Sequence, residues 1–220
     1  MKEPTESTID ILRKKWTALL IKYTQDTNYV ETACDKILSH YTSHARHYHN
    51  EFHILKMLNS AEYFRDFGVN FDQILFAVWF HDVIYNPLKT NNEEKSAKFA
   101  SQILKKIEYA DAAMVSDMIL RTKNHFYRAP NESPELKVLL DLDLETMGSN
   151  PETYLINTSN IRKEYHIYPD SIFKKGRTRV LKQFLDSDSI YRTEIFKEKY
   201  ENQAFINISE ELKHLVISTK

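Results

Sequence analysis

Residues 71–87 read Phe-Asp-Gln-Ile-Leu-Phe-Ala-Val-Trp-Phe-His-Asp-Val-Ile-Tyr-Asn-Pro, an apolar run that stops abruptly at an imidazole and a carboxylate. The run does not alternate with period two, so it reads as a buried helix over about Phe71 to His81 rather than a half-buried strand. Its longest uninterrupted apolar part, Ile74 to Phe80, is far too short to cross a bilayer. Burying His81 and Asp82 at its end is costly unless each has a partner, and a divalent metal would satisfy both. The alternative at this point is a His-Asp cap on a solvent-exposed helix end.

Working outward, the rest of the chain carries the same helical signature. Ile9, Leu12, Trp16, Leu19 and Tyr23 recur at i, i+3, i+4 spacing, with Ser7 or Thr8 available as an N-cap. Further helices are expected over about Asn28 to Tyr41, His49 to Phe67, Glu93 to Glu108, Asp111 to His125, Pro134 to Glu145, Glu152 to Tyr165, Ser171 to Leu185 and Thr193 to Leu215. Gly68, Gly148 and Gly176 and the prolines at 87, 130, 134, 151 and 169 are read as punctuation between them. No internal repeat or low-complexity linker marks a boundary. The expectation is an all-α fold, a single domain over 1–220. An N-terminal helix (about 7–24) and C-terminal helices (about 152–216) would pack on a central region (about 28–146).

At 220 residues, with 42% hydrophobic and 28% charged side chains, the chain can bury a substantial core. Thirty basic against 31 acidic residues leave a formal charge of −1, which gathers neither nucleic acid nor an anionic membrane. The one cysteine, Cys34, excludes an intrachain disulfide. The first fifteen residues, with Lys2, Glu3, Glu6, Asp10, Arg13, Lys14 and Lys15, lack the apolar block of a signal peptide. A cytoplasmic location, no membrane association and a possible homo-oligomer are the corresponding expectations.

Six of the nine histidines fall between His40 and His81, most of them in His-Ala-Arg-His-Tyr-His-Asn-Glu-Phe-His, residues 44–53. On a helix, His49 and His53 would lie about 6 Å apart on one face and address one site. A polar surface cluster would give the same spacing. Later, Leu-Leu-Asp-Leu-Asp-Leu (139–144) sets two carboxylates among leucines. Asp141 and Asp143 point about 200° apart on a helix, so only one can face a common site, and local physics does not choose between them.

Together these motifs resemble the HD superfamily of metal-dependent phosphohydrolases: Tyr48-His49-Asn50-x-x-His53, then His81-Asp82, then Asp143-Leu144. The first is also similar to the Tyr-His-Asn-x-x-His of cyclic-nucleotide phosphodiesterases, in which the first histidine protonates the leaving oxygen and the second binds metal. Trp79-Phe80-His81-Asp82, Asn92-Glu93-Glu94-x-Ser96-Ala97, Arg162-x-Glu164-Tyr165 and Gly176-Arg177 extend the likeness to a bacterial-type branch of HD phosphohydrolases, from about Tyr48 onward. The chain departs from the cyclic-nucleotide enzymes at Tyr85, where they carry a further histidine, so their second-metal arrangement and nucleotide specificity do not transfer.

The resemblance implies an HD-type helical bundle that hydrolyses a phosphate ester or phosphoanhydride, with a small nucleotide or related phosphorylated metabolite as partner. His53, His81, Asp82 and Asp143 become the expected metal ligands, with Asp141 in reserve. Such a donor set suits Mn²⁺, Fe²⁺, Co²⁺, Ni²⁺ or Zn²⁺, one ion with a second possible through Asp82. The expected catalytic residues are His49 as acid, Asp82, and Glu94, which would bind a second metal or orient water. As a first-turn residue, Glu94 equally suits the helix dipole. His125, Arg162 and Arg177 are expected to contact substrate phosphate, with Lys123 and Arg128 as further cations. Tyr48, Tyr165 and Tyr168 could stack on a base, yet with 13 tyrosines in the chain no base site is read from them.

Three rival functions meet these motifs differently. A zinc protease needs Glu directly after the first His, where this chain has Asn50. A di-iron oxygenase of the same fold needs extra histidines between His-Asp and the last Asp, where only His125 lies. A non-catalytic metal-binding nucleotide sensor or interaction module is compatible with the fold and motifs.

Overall fold

The structure, a computed structural model, describes residues 6–217. Lys2 and Glu3, and both extremities of the expected 1–220 domain, lie outside the described residues. Among these the chain is helical throughout, without a strand, and no helix is long and apolar enough to cross a membrane. It divides after Lys123 into two compact units, a boundary inside the central region expected from the sequence.

The first unit contains α1 (Thr8–Leu20), α2 (Thr27–Tyr41), α3 (Glu51–Ala61), α4 (Phe71–Phe80), α5 (Asn92–Lys106) and α6 (Ala112–Arg121). Short oxygen side chains start most of these helices. Ser7 accepts from the Asp10 N–H, Asp26 from Tyr29, Asn50 from Phe52 and His53, and Asn70 from Gln73. Each satisfies backbone donors that have no partner within the helix. Gly68, at φ +70°, turns the chain ahead of α4, a conformation that costs glycine nothing.

α4 is buried on nearly every side, which explains its lack of amphipathic patterning. Trp16 of α1 sets its ring edge-on to Trp79 at 5.3 Å and Phe80 at 5.9 Å, and donates its indole N–H to the Val30 carbonyl at 3.0 Å. Such aromatic pairs add about 0.5–1.5 kcal/mol beyond area burial. Tyr41, fully buried at the end of α2, donates its hydroxyl to the Trp79 carbonyl at 3.2 Å. α4 is thereby held along its length, and its C-terminus is a rigid place from which to project side chains. α5 and α6 pack together, with Ser101 and Ser116 hydroxyls bonded at 2.8 Å.

The second unit contains α7 (Pro134–Leu144), α8 (Pro151–Glu164), α9 (Asp170–Leu185), α10 (Glu194–Phe196) and α11 (Asn202–Ile217). Pro134 and Pro151 open their helices where no N–H is needed, behind Ser133 and Asn150 caps. Leu139, Leu140, Leu181, Tyr191, Ala204 and Ile208 are among its fully buried residues.

Several sequence expectations are corrected. The helix expected from His49 begins only at Glu51, because Asn50 caps it, and it ends at Ala61 before a 3-10 turn. The helix expected to reach His125 stops at Arg121. Gly176 does not punctuate: it lies inside α9, with open space where a Cβ would be. The last expected helix is interrupted by a π-helical turn at Lys197–Glu201, which separates α10 from α11.

Candidate functional site

In the first unit, three expected ligands converge. His53 stands in the first turn of α3, His81 directly follows α4, and Asp82 is next in the chain. One ligand atom of each lies within 4.8 Å of the others. His53 and His81 are buried, at 6% and 1% exposure, so the solvent-exposed cap considered for His81 does not hold. The His81 Nδ1 lies 2.9 Å from the Val78 carbonyl, which can only accept, so Nδ1 carries the proton. In the neutral ring this leaves Nε2 as the ligating atom, 3.3 Å from the Asp82 Oδ2. A backbone carbonyl fixing one imidazole nitrogen so that the other can ligate is the usual support of a metal-binding histidine. Two buried imidazoles and a carboxylate fit a borderline divalent transition ion, and the group could hold one.

His49 reaches the cluster from the loop before α3. Although it is off the helix, its ring lies 5.9 Å from that of His53 and stacks on Tyr85 at 4.2 Å. Its Nε2 is 3.8 Å from the Asp82 Oδ2. Tyr48 sets its ring 4.8 Å from His49 and 5.2 Å from His53, as a wall of the cluster. Tyr85, which replaces the further histidine of the cyclic-nucleotide enzymes, thus serves as the surface on which His49 rests.

Glu94 takes no such place. Its carboxylate pairs with Lys123, half-exposed, and that hydrogen bond holds it below the usual carboxylate range. Lys123 also donates to the Thr90 carbonyl at 2.7 Å. The neighbouring Glu93 is partly buried, and burial, with the Asp82 charge as a further contribution, pushes its carboxyl above its ordinary range.

The second unit separates the two late aspartates. Asp141 is fully buried and accepts from the Arg192 N–H, the Thr193 N–H and the Thr193 hydroxyl, each at 2.7 Å. Both of its oxygens are engaged in fixing the start of α10. Burial nevertheless pushes this carboxyl up to about 6. Asp143, partly exposed, lies with its Oδ2 3.1 Å from the His125 Nε2. His125 sits in the loop after α6 and is held by Arg192, whose guanidinium donates to the His125 carbonyl at 2.8 Å and the Tyr127 carbonyl at 3.2 Å. Arg192 is itself buried against Glu132 at 3.0 Å. No local pattern announces Arg192 or Glu132, because their partners are some sixty residues away.

Arg162 and Arg177 are committed to the scaffold. Arg162 pairs with Asp170 and donates to the Tyr165 and Tyr168 carbonyls, joining the end of α8 to the start of α9. Arg177 forms a bidentate pair with Glu211 at 2.8 and 2.9 Å, tying α9 to α11. Arg128 donates to the Ser189 and Tyr191 carbonyls. Tyr165 and Tyr168 stack on each other at 6.0 Å, beside Phe173.

Comparisons of the chain with protein-family models, with curated proteins and with solved structures find no match.

Proposed function

We propose that the protein is an HD-type, metal-dependent phosphohydrolase acting on a small phosphorylated molecule such as a nucleotide. The observation that carries this is the buried convergence of His53, His81 and Asp82 beside His49. Of the two late aspartates, the resemblance makes Asp143 the fourth donor, and both Asp141 oxygens are already taken up by Arg192 and Thr193. A divalent ion held by this set supplies Lewis acidity toward water and the phosphoryl oxygens. Asp82 would share the ion with the His81 Nε2, and His49 carries on its Nε2 the proton that the departing oxygen takes up. Tyr85 and Tyr48 keep the His49 ring in place through this transfer. His125 acts through Asp143, steadying its carboxylate, rather than as a free phosphate contact.

The test is metal content of protein purified without chelator, for the wild type and for His53→Ala and Asp143→Ala, with phosphate release from a nucleotide and phosphoester panel measured on the same samples. Transition metal in the wild type, lost from both variants together with phosphate release, supports the reading. Metal without turnover across the panel would favour a sensor or interaction module. Negligible metal in the wild type would refute the site.

A further inference from the structure

We propose that Arg46 is a positioning residue that locks the His49 loop to the His81–Asp82 corner, so that His49 is aligned for proton transfer; this rests on the functional reading above. Arg46 lies in the loop between α2 and α3 and reaches across 36 residues of chain. Its Nη1 donates to the His49 carbonyl at 3.0 Å and to the Asp82 carbonyl at 2.7 Å, and its Nη2 donates to the Val83 carbonyl at 2.8 Å. One planar fork therefore grips both chain segments that bear the chemistry. The carbonyls of Asp82 and Val83 follow the end of α4, where the helix offers them no N–H, and a cation there also suits the helix dipole.

The guanidinium is further confined by aromatic faces, with its central carbon 5.0 Å from the Tyr41 ring and 5.8 Å from the Tyr85 ring. Tyr85 in turn stacks on His49. Arg46 thus fixes His49 twice, through the backbone carbonyl and through the ring on which the imidazole rests. Its donors are directed to backbone oxygens, so it serves the geometry of the site and not phosphate recognition. Lysine, a point donor on a flexible stem, cannot span three carbonyls.

The consequence is a division of labour. Loss of Arg46 leaves the imidazole and carboxylate ligands of His53, His81 and Asp82 in the protein but lets His49 drift, and misplacement by about 1 Å costs on the order of a hundredfold in rate. The penalty falls on substrates whose leaving oxygen needs a proton, because a nitrophenolate departs without one.

The experiment compares Arg46→Ala, Arg46→Lys, His49→Asn and Arg46→Ala/His49→Asn with wild type. It reads amide hydrogen exchange, metal content, and kcat on an alkyl phosphate ester and a nitrophenyl ester. In Arg46→Ala, amides of residues 47–50 and 82–85 exchange at least tenfold faster while those of α1 and α2 are unchanged. Its metal content stays at the wild-type level, and kcat falls on the order of a hundredfold for the alkyl ester but less than tenfold for the nitrophenyl ester. Arg46→Lys is intermediate, and adding Arg46→Ala to His49→Asn costs less than a further threefold. Unchanged exchange in the two segments, a rate loss equal for both esters, or a loss additive with His49→Asn would overturn the inference. A wild type without metal or turnover refutes the proposed function instead, and the exchange measurement still decides whether Arg46 joins the two segments.

Discussion

Replacing Asp141 by alanine separates a structural carboxylate from a ligand carboxylate two residues away. The variant loses three hydrogen bonds to Arg192 and Thr193. Bonds to a charged acceptor contribute about 2 kcal/mol each, for a gross loss of about 6 kcal/mol. Burying the carboxylate has its own cost, visible in its rise from 3.8 to about 6. The desolvation behind that rise offsets part of the gross loss, leaving a net destabilisation of about 3 kcal/mol, at the upper end of ordinary single substitutions. For a chain of this length the loss lowers Tm by about 6–12 °C. Asp143→Ala, which removes a partly exposed pair with His125, should cost about 1 kcal/mol or less in metal-free protein. Thermal unfolding of both stripped variants by circular dichroism provides the comparison, followed by metal loading at a temperature where both are folded. Asp141→Ala should melt early yet take up metal; Asp143→Ala should melt near wild type and fail to load. Equal melting temperatures, or the opposite pattern of metal uptake, would refute the assignment of the two aspartates.

Two glycines of the second unit should respond in opposite directions. A Cβ at Gly148 would come within 2.5 Å of the Tyr200 Cβ and 2.7 Å of its carbonyl oxygen, so Gly148→Ala is expected to destabilise by about 3 kcal/mol. Gly176→Ala, in open space within α9, should stabilise by about 0.5–1 kcal/mol, and urea unfolding of the pair checks both signs. Burial pushes the Cys34 thiol up from 9.0 to about 11, so at pH 8 its thiolate population is about a hundredfold below that of an ordinary thiol. Because the raised pKa favours the neutral folded form, the associated stability is present below pH 9 and is lost as pH rises toward 11. Labelling by a thiol reagent at pH 8 should be slow in the native protein and fast in denaturant; rapid native labelling would contradict the burial.

The fold was legible wherever a helix carried its own evidence. The apolar register of α1 and the run leading to His81 gave both type and place, since burial of a helix face leaves a period in the sequence. Boundaries were harder, as the start of α3 illustrates. Helical spacing suggested a helix through His49, yet Asn50 offered a better use of its side chain, as acceptor for the first orphan N–H groups, and the preceding residues peeled away. A cap was visible there in principle, as an asparagine directly before Glu51 in the first turn.

The site was legible at the level of ligand types and order. Its orientation was not, because that depends on partners distant in sequence. Asp141 and Asp143 are equivalent by local pattern and differ only through Arg192 and Thr193, about fifty residues later. Arg162 and Arg177 drew attention as cations, yet their pairs with Asp170 and Glu211 belong to packing between helices. Glu93 was hidden by its neighbour, since two consecutive glutamates give no indication of which will be partly buried.

The reach of Arg192 also bears on how the protein is made. Its contacts run back to His125, Tyr127 and Glu132, and its backbone N–H to Asp141, so the loop bearing His125 and the helix bearing Asp143 share an anchor synthesised long after them. Synthesis proceeds from the N-terminus, and units fold as they are completed. The segment around His125 and Asp143 therefore cannot acquire its final form until residues 192 and 193 have left the ribosome, and a nascent chain interrupted before that point carries every proposed ligand without the means to hold the last one in place.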